Sequence, residues 1–114
     1  MKRSNTSEFE KDVISALEWT LENFGSSATD RYAKLIDIAL KGISIDPLLS
    51  GSSVFQDVRL YHLRHCRKSA PVAGIVVKNP RHFVAYRVNG DTIEILRLLH
   101  ESMDFILHLG DDQD

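Results

Sequence analysis

Residues 81–104 read RHFVAYRVNGDTIEILRLLHESMD, and the rest of the chain has to be fitted around this stretch. Two apolar runs flank Asn89-Gly90. Asn-Gly between strand-like runs is a strong hairpin signal, because a type I′ turn needs positive φ at both central residues. With Asn89 and Gly90 as the loop, Val88 faces Asp91, Tyr86 faces Ile93, Val84 faces Ile95 and His82 faces Arg97. Side chains alternate across a strand. Val84, Tyr86, Ile93 and Ile95 therefore form a core face, extended at its far end by His82 and Arg97. The opposite face carries Phe83, Ala85, Arg87, Thr92, Glu94, Leu96 and Leu98, a mixed set that suits partial cover.

The upstream sequence supplies that cover. Ser7-Glu8-Phe9-Glu10 has the form of a capping box. Phe9, Val13, Ala16, Leu17, Thr20, Leu21 and Phe24 then recur at helical spacing, and Gly25 is a natural stop. This predicts a helix from Glu8 to Phe24. Ala28, Tyr32, Leu35, Ile36, Ala39 and Leu40 predict a second helix ending near Gly42. Two helices with so short a loop fold back as an αα-hairpin. A wide stripe or an inter-helix contact accounts for Ile14 and Ile38. Trp19 suits either the core or an exposed groove for a partner.

Residues 43–53 read as a loop, and Val54 to Cys66 as one strand-like run. Arg67 to Gly74 reads as a connection, and Ile75 to Val77 as a further strand. Asn79-Pro80 marks a bend, since Pro80 cannot donate to a ladder. Residues 1–5 read as frayed or as a remnant edge strand. Ser102 can cap a short last helix through Leu109, with Phe105, Ile106 and Leu109 as its apolar side. The expected fold is α+β: an N-terminal αα-hairpin packed on a small antiparallel β-sheet, with a short C-terminal helix. A single domain spans residues 1–109, and an acidic disordered tail spans 110–114.

Composition limits the possible functions. A chain of 114 residues fits one domain of the usual ~100–200 residues. No apolar run approaches the roughly 20 residues that span a bilayer, and residues 1–12 lack the apolar core of a secretory signal. Cys66 is the sole cysteine, so no internal disulfide forms, which fits a reducing cytoplasmic setting. The net charge of −2 hides an uneven distribution. Residues 59–104 carry eight Lys/Arg against four Asp/Glu, whereas residues 1–58 and 105–114 are each net acidic.

His62, His65 and Cys66 invite a metal reading, but strand geometry sends His65 to the opposite face and no second Cys pair exists. No metal and no cofactor are expected. There is no P-loop, no nucleophile signature and no poised carboxylate pair, hence no catalytic residue. The basic residues Arg59, Arg64, Arg67, Lys68, Lys78, Arg81, Arg87 and Arg97 are interleaved with Tyr61, His62, His65, His82, Phe83 and Tyr86. Such a sheet could hold RNA phosphates and bases, or an acidic protein segment. His100 and Asp104 lie four residues apart and could share a helix face.

The run PRHFVAYRVNGDTIEILRLLHESMD, residues 80–104, resembles the RelE/ParE superfamily of toxins from toxin–antitoxin modules, and within it the ParE branch. The carriers are a basic residue and His, an aromatic strand ending in Tyr86-Arg87, the Ile93-x-Ile95-x-Arg97 strand, and Leu99-His100 followed by Asp104. Tyr61 to Arg67 is similar to the preceding strand of one ParE subgroup. Nuclease members of the RelE branch typically carry a C-terminal Tyr; residues 99–114 contain none. Many ParE members carry Arg between the His and the Asp; here those residues are Glu101, Ser102 and Met103.

The resemblance implies a toxin that inhibits DNA gyrase by protein–protein binding and is neutralised by a cognate ParD-like antitoxin, in a toxin–antitoxin hetero-oligomer without a membrane. The alternatives are a ribosome-dependent mRNA endoribonuclease, or an inactive relative retained for antitoxin binding. On this reading Arg81, His82, Arg97, His100 and Asp104 contact the target, with Arg64 and Arg67 secondary, and Trp19, Tyr32 and Phe105 contact the antitoxin.

Overall fold

The computed structural model describes residues 2–66, 77 and 79–102. The elements are β1 (Lys2–Asn5), α1 (Ser7–Ile45), β2 (Ser52–Phe55), β3 (Val58–His62), a 3-10 turn (Leu63–His65), β4 (His82–Asn89) and β5 (Thr92–His100). The strands form one five-stranded sheet in the order β1-β5-β4-β3-β2, so the fold is α+β. β1 runs parallel to β5 while the other neighbours are antiparallel. The sheet is therefore mixed, not the antiparallel sheet expected. The Lys-Arg-Ser-Asn sequence of β1 carries no apolar residue, and all four positions are exposed. Backbone bonding holds it: Lys2 N–H donates to Asp91 O at 3.2 Å and Thr6 N–H to Ile95 O at 3.0 Å.

Thr6, not Ser7, caps α1. Its Oγ1 accepts from Phe9 N–H at 3.0 Å and donates to Leu96 O at 2.7 Å. Thr6 wins because it is the last residue with extended backbone, so one hydroxyl both caps the helix and fastens its start to β5.

The expected pair of helices joined by a loop is instead one helical element of 39 residues, and its single non-helical residue is Gly25, at φ 88° and ψ 177°. A straight 39-residue helix would be ~58 Å long, whereas the longest dimension of the molecule is 37 Å. The arms on either side of Gly25 are therefore not collinear. Glycine is needed there because φ 88° forces a Cβ into the adjoining carbonyl. The element also runs past Gly42 to Ile45, which brings Ile43 fully into the core.

That core joins Phe9, Ala16, Tyr32, Leu35, Ile36, Ala39, Leu40 and Ile43 of α1 to Val84, Tyr86, Ile93, Ile95 and Leu98 of the sheet. Ile38 packs against it, whereas Ile14 is 57% exposed, contrary to expectation. Leu21 and Phe24 are exposed as well, because the stripe overruns the sheet as it nears Gly25. The opposite sheet face carries a smaller cluster of Val58, Leu60, Ala85 and Leu99, flanked by Phe83 and Leu96.

The β4–β5 register differs from the expected one. Asn89 faces Thr92, Val88 faces Ile93 and Tyr86 faces Ile95. The loop is thus Gly90-Asp91, and of the two only Gly90 has positive φ, at 65°. A single positive φ at the first loop position is the type II′ pattern, which places glycine first. The pairing moved by two residues, which keeps every side chain on its face. A bulge between Ala85 and Tyr86 then brings Ala85 opposite Arg97 and His82 opposite His100. The expected His82–Arg97 pair does not form, and Leu98 moves to the core face. The Val54–Cys66 run is likewise two strands, turning at Gln56-Asp57, with Gln56 at φ 58°. The expected Arg67–Gly74 connection, the Ile75–Val76 part of the next strand, the last helix from Met103 to Leu109 and the 110–114 tail lie outside the described residues.

Candidate functional site

A groove of about 1170 Å³ opens between the two arms of α1 and the His82–His100 end of the sheet. Trp19, Phe24, Ala28 and Leu98 line its apolar part; Arg31, Tyr32, Arg81, His82, His100 and Ser102 line its polar part. Trp19 is 57% exposed and packs edge-on against Phe24, with ring centroids 5.6 Å apart. These two rings form an apolar lip that no described residue covers.

Several of the sequence-predicted residues meet here. Tyr32 is buried, and its hydroxyl lies 2.6 Å from His82 Nδ1 and accepts from Arg81 N–H at 3.2 Å. Burial raises the Tyr32 phenol to about 12. Burial also lowers His82 to about 4, aided by the neighbouring His100 and His62, so its imidazole is neutral at pH 7. The His82 ring is edge-on to both Tyr32 and His100, at 5.5 and 5.2 Å. Ser102 N–H donates to His100 Nδ1 at 3.1 Å.

Glu101, which sequence reasoning did not single out, binds this end together. Its backbone N–H donates to Arg81 O at 2.8 Å. Its carboxylate accepts from Arg81 Nη1 at 3.2 Å and lies 2.9 Å from His62 Nε2. His62 Nδ1 accepts from Arg64 N–H at 3.0 Å, so the His62 ring proton sits on Nε2 and is donated to Glu101. That hydrogen bond is the main cause holding the Glu101 carboxyl below the usual range.

Asp12 is the second residue missed. Arg97 Nε and Nη2 donate to its two oxygens at 2.8 and 3.1 Å, and Leu98 N–H donates at 3.0 Å. Arg97 is thus turned onto α1 and lies apart from His82. Arg87 likewise pairs with Glu94 at 3.2 Å, and Arg59 Nη2 donates to Ser52 Oγ at 2.8 Å. Four of the cations that suggested a phosphate-binding face, Arg59, Arg81, Arg87 and Arg97, are thus held by acceptors of this chain. Arg64 is exposed and joins the cluster only through its backbone. Arg67, Lys68, Lys78, Asp104 and Phe105 lie outside the described residues.

The His62, His65 and Cys66 set is dispersed. His62 is tied to Glu101, and the His65 ring packs beneath Gly51. Cys66 Sγ donates to Leu63 O at 3.1 Å, and burial raises its thiol to about 11. Among the described residues no three His, Cys, Asp or Glu side chains gather as a metal site. No described helix is long and apolar enough to cross a membrane.

A sheet with a kinked helical element on one face and a partner-sized apolar groove is the frame in which the comparisons are informative. The family model for the ParE toxin of the type II toxin–antitoxin system parDE matches residues 5–105. The chain belongs to the ParE toxin family. Among solved structures, the chromosomal ParDE toxin–antitoxin system from P. aeruginosa matches with a TM-score of 0.65 over 88% of this chain and 95% of that one. At 17% identity that likeness speaks for the fold alone. No curated protein matches the chain. As a ParE toxin, the chain is the toxin component of a type II toxin–antitoxin system.

Proposed function

We propose that this toxin inhibits DNA gyrase by protein–protein binding, and that a cognate ParD-like antitoxin neutralises it by laying an amphipathic segment in the Trp19–Phe24 groove. The observation that carries this reading is the pairing of the sheet cations. Arg97, Arg87 and Arg81 are each met by a carboxylate at 2.8–3.2 Å, so these three cations of the described sheet are already paired within the chain rather than held open for an RNA backbone. Beside them lies an open apolar lip, the kind of surface that takes a partner helix. Arg81, His82 and His100 contact the gyrase target on this reading, whereas Arg97 acts by fixing β5 to α1. Trp19 and Tyr32 serve the antitoxin, whose segment overlaps the target surface.

The test adds purified protein to gyrase supercoiling and cleavage reactions, and separately to translating ribosomes. Loss of supercoiling with intact mRNA is expected. Ribosome-dependent mRNA cuts with normal gyrase would overturn the proposal in favour of the endoribonuclease, and silence in both assays would assign an inactive, antitoxin-binding relative. The product of a neighbouring small reading frame should restore supercoiling. Trp19→Ala should weaken that rescue at least tenfold, the loss of one buried aromatic anchor at roughly 2 kcal/mol or more.

A further inference from the structure

The sheet end of the groove presents two histidine rings and Arg81, beside the Asn79 amide and the Ser102 hydroxyl, and apolar docking alone does not use these polar groups. Tyr32 Oη already accepts from Arg81 N–H. Its one proton has a single acceptor among the described residues, His82 Nδ1 at 2.6 Å. The hydroxyl therefore donates to His82, and the ring proton of His82 sits on Nε2. His100 follows the same sense: its Nδ1 accepts from Ser102 N–H at 3.1 Å and lies 2.7 Å from Ser102 Oγ, whose hydroxyl then donates as well, so the ring proton is left on Nε2.

Both rings line the groove, packed edge to face at 5.2 Å. Neither Nε2 has a partner among the described residues. Neither is sealed in, since Arg59 Nε is the one buried and unpartnered side-chain nitrogen or oxygen among them. Arg81 stands beside the two rings with its side chain 55% exposed. The one carboxylate among the described groove residues, Asp12, has both oxygens taken by Arg97 and Leu98 N–H.

We propose that His82 Nε2–H and His100 Nε2–H, flanked by Arg81, form a carboxylate-binding subsite. Its occupant is an Asp or Glu side chain of the partner segment whose apolar residues lie along Trp19 and Phe24. This rests on the reading that a partner segment docks in the groove. The charge balance selects a monoanion. The groove carries two full cations, Arg81, which Glu101 offsets at 3.2 Å, and Arg31 on α1, which donates to Ser27 Oγ at 2.7 Å. A phosphate dianion would meet too little positive charge, whereas a carboxylate matches two neutral donors and one shared guanidinium. An uncharged segment would leave these donors desolvated and unpaired.

The test uses the full chain with ¹⁵N-labelled histidine. Long-range ¹H–¹⁵N spectra report the tautomers directly, and His82 and His100 should both carry the proton on Nε2. 4-Phenylbutyrate, a ring and a carboxylate on a short tether, should shift both Nε2 signals. Its neutral amide should bind roughly tenfold more weakly, the difference between charged and neutral hydrogen bonds. Tyr32→Phe removes the proton that sets the His82 tautomer. With its fold verified by circular dichroism, that variant should show Nδ1–H at His82 and weaker carboxylate binding.

Nδ1–H at His82 in the parent chain, no response to the acid, or equal binding of acid and amide would each overturn the proposal. If Asp104→Asn moves both signals in the probe-free chain, the occupant is this chain's own carboxylate and the partner assignment falls. Failure of the docking reading itself shows separately, as a Trp19→Ala variant that the antitoxin still rescues fully.

Discussion

Asp12→Ala is the sharpest perturbation of this fold. The Asp12 and Arg97 side chains are 17% and 16% exposed, and three donors converge on the carboxylate. Removing it takes two hydrogen bonds from the Arg97 guanidinium and one from Leu98 N–H. Breaking a buried pair costs about 3–5 kcal/mol, and the water that reaches one-sixth of each side chain lowers this to about 2–4 kcal/mol. Asp12→Asn keeps the shape and one acceptor oxygen, so it should lose about half as much. Replacing both partners, Asp12→Leu with Arg97→Met, removes the need for pairing and should recover most of the stability.

Urea unfolding of the parent, Asp12→Ala, Asp12→Asn, Asp12→Leu, Arg97→Met and the double variant, followed by circular dichroism, reads these differences as midpoint shifts at constant slope. The cycle should show a coupling of at least ~1.5 kcal/mol. A loss below ~1 kcal/mol for Asp12→Ala, or a double variant as unstable as the two single changes added together, would refute the account.

Other outcomes follow from single residues. Gly25→Ala should lose at least ~1 kcal/mol by thermal melting, because φ is 88°, although no atom beyond the adjoining helix backbone lies within 4 Å of the added methyl. Gln56→Gly should gain about 1 kcal/mol in the same assay, since φ is 58° at a residue with a Cβ. His82 introduces acid sensitivity. Its folded value of about 4 lies below the ordinary 6.5, so the unfolded chain binds the proton first. Its contribution is intact above pH 6.5, falls between 6.5 and 4, and levels off below 4, by at most ~3 kcal/mol. Urea midpoints across that range should fall more steeply for the parent chain than for His82→Gln.

The core face was legible because Val84, Tyr86, Ile93 and Ile95 keep their period of two even when the register slides by two. The slide itself was not, since Asn89-Gly90 and Gly90-Asp91 are both good turns and only the backbone chooses. The bulge was hidden because Leu96-Arg97-Leu98-Leu99 has no alternation to break. β1 was hidden because it contributes hydrogen bonds and no apolar side chain. Charge and resemblance picked out Arg81, His82 and His100, and the fold brings these three to one end of the groove. Asp12 and Glu101 were missed because their meaning lies in partners 85 and 39 residues away. Arg97 read as a contact residue because sequence cannot show a cation turned inward.

The pairing of β1 with β5 also sets the order of events during synthesis. β1 is synthesised first, and its partner residues, Thr92 to Ile95, follow some 90 residues later. At 5–20 residues per second that is a delay on the order of 5–20 s. Through that interval Thr6 has no Leu96 carbonyl to bond and Asp12 has no Arg97. A nascent chain stopped short of β5 holds every helical residue of the groove wall but lacks Ile93, Ile95 and Leu98 from the core that docks it. Assembly of the groove therefore waits for β5, and whatever binds the groove has to wait with it.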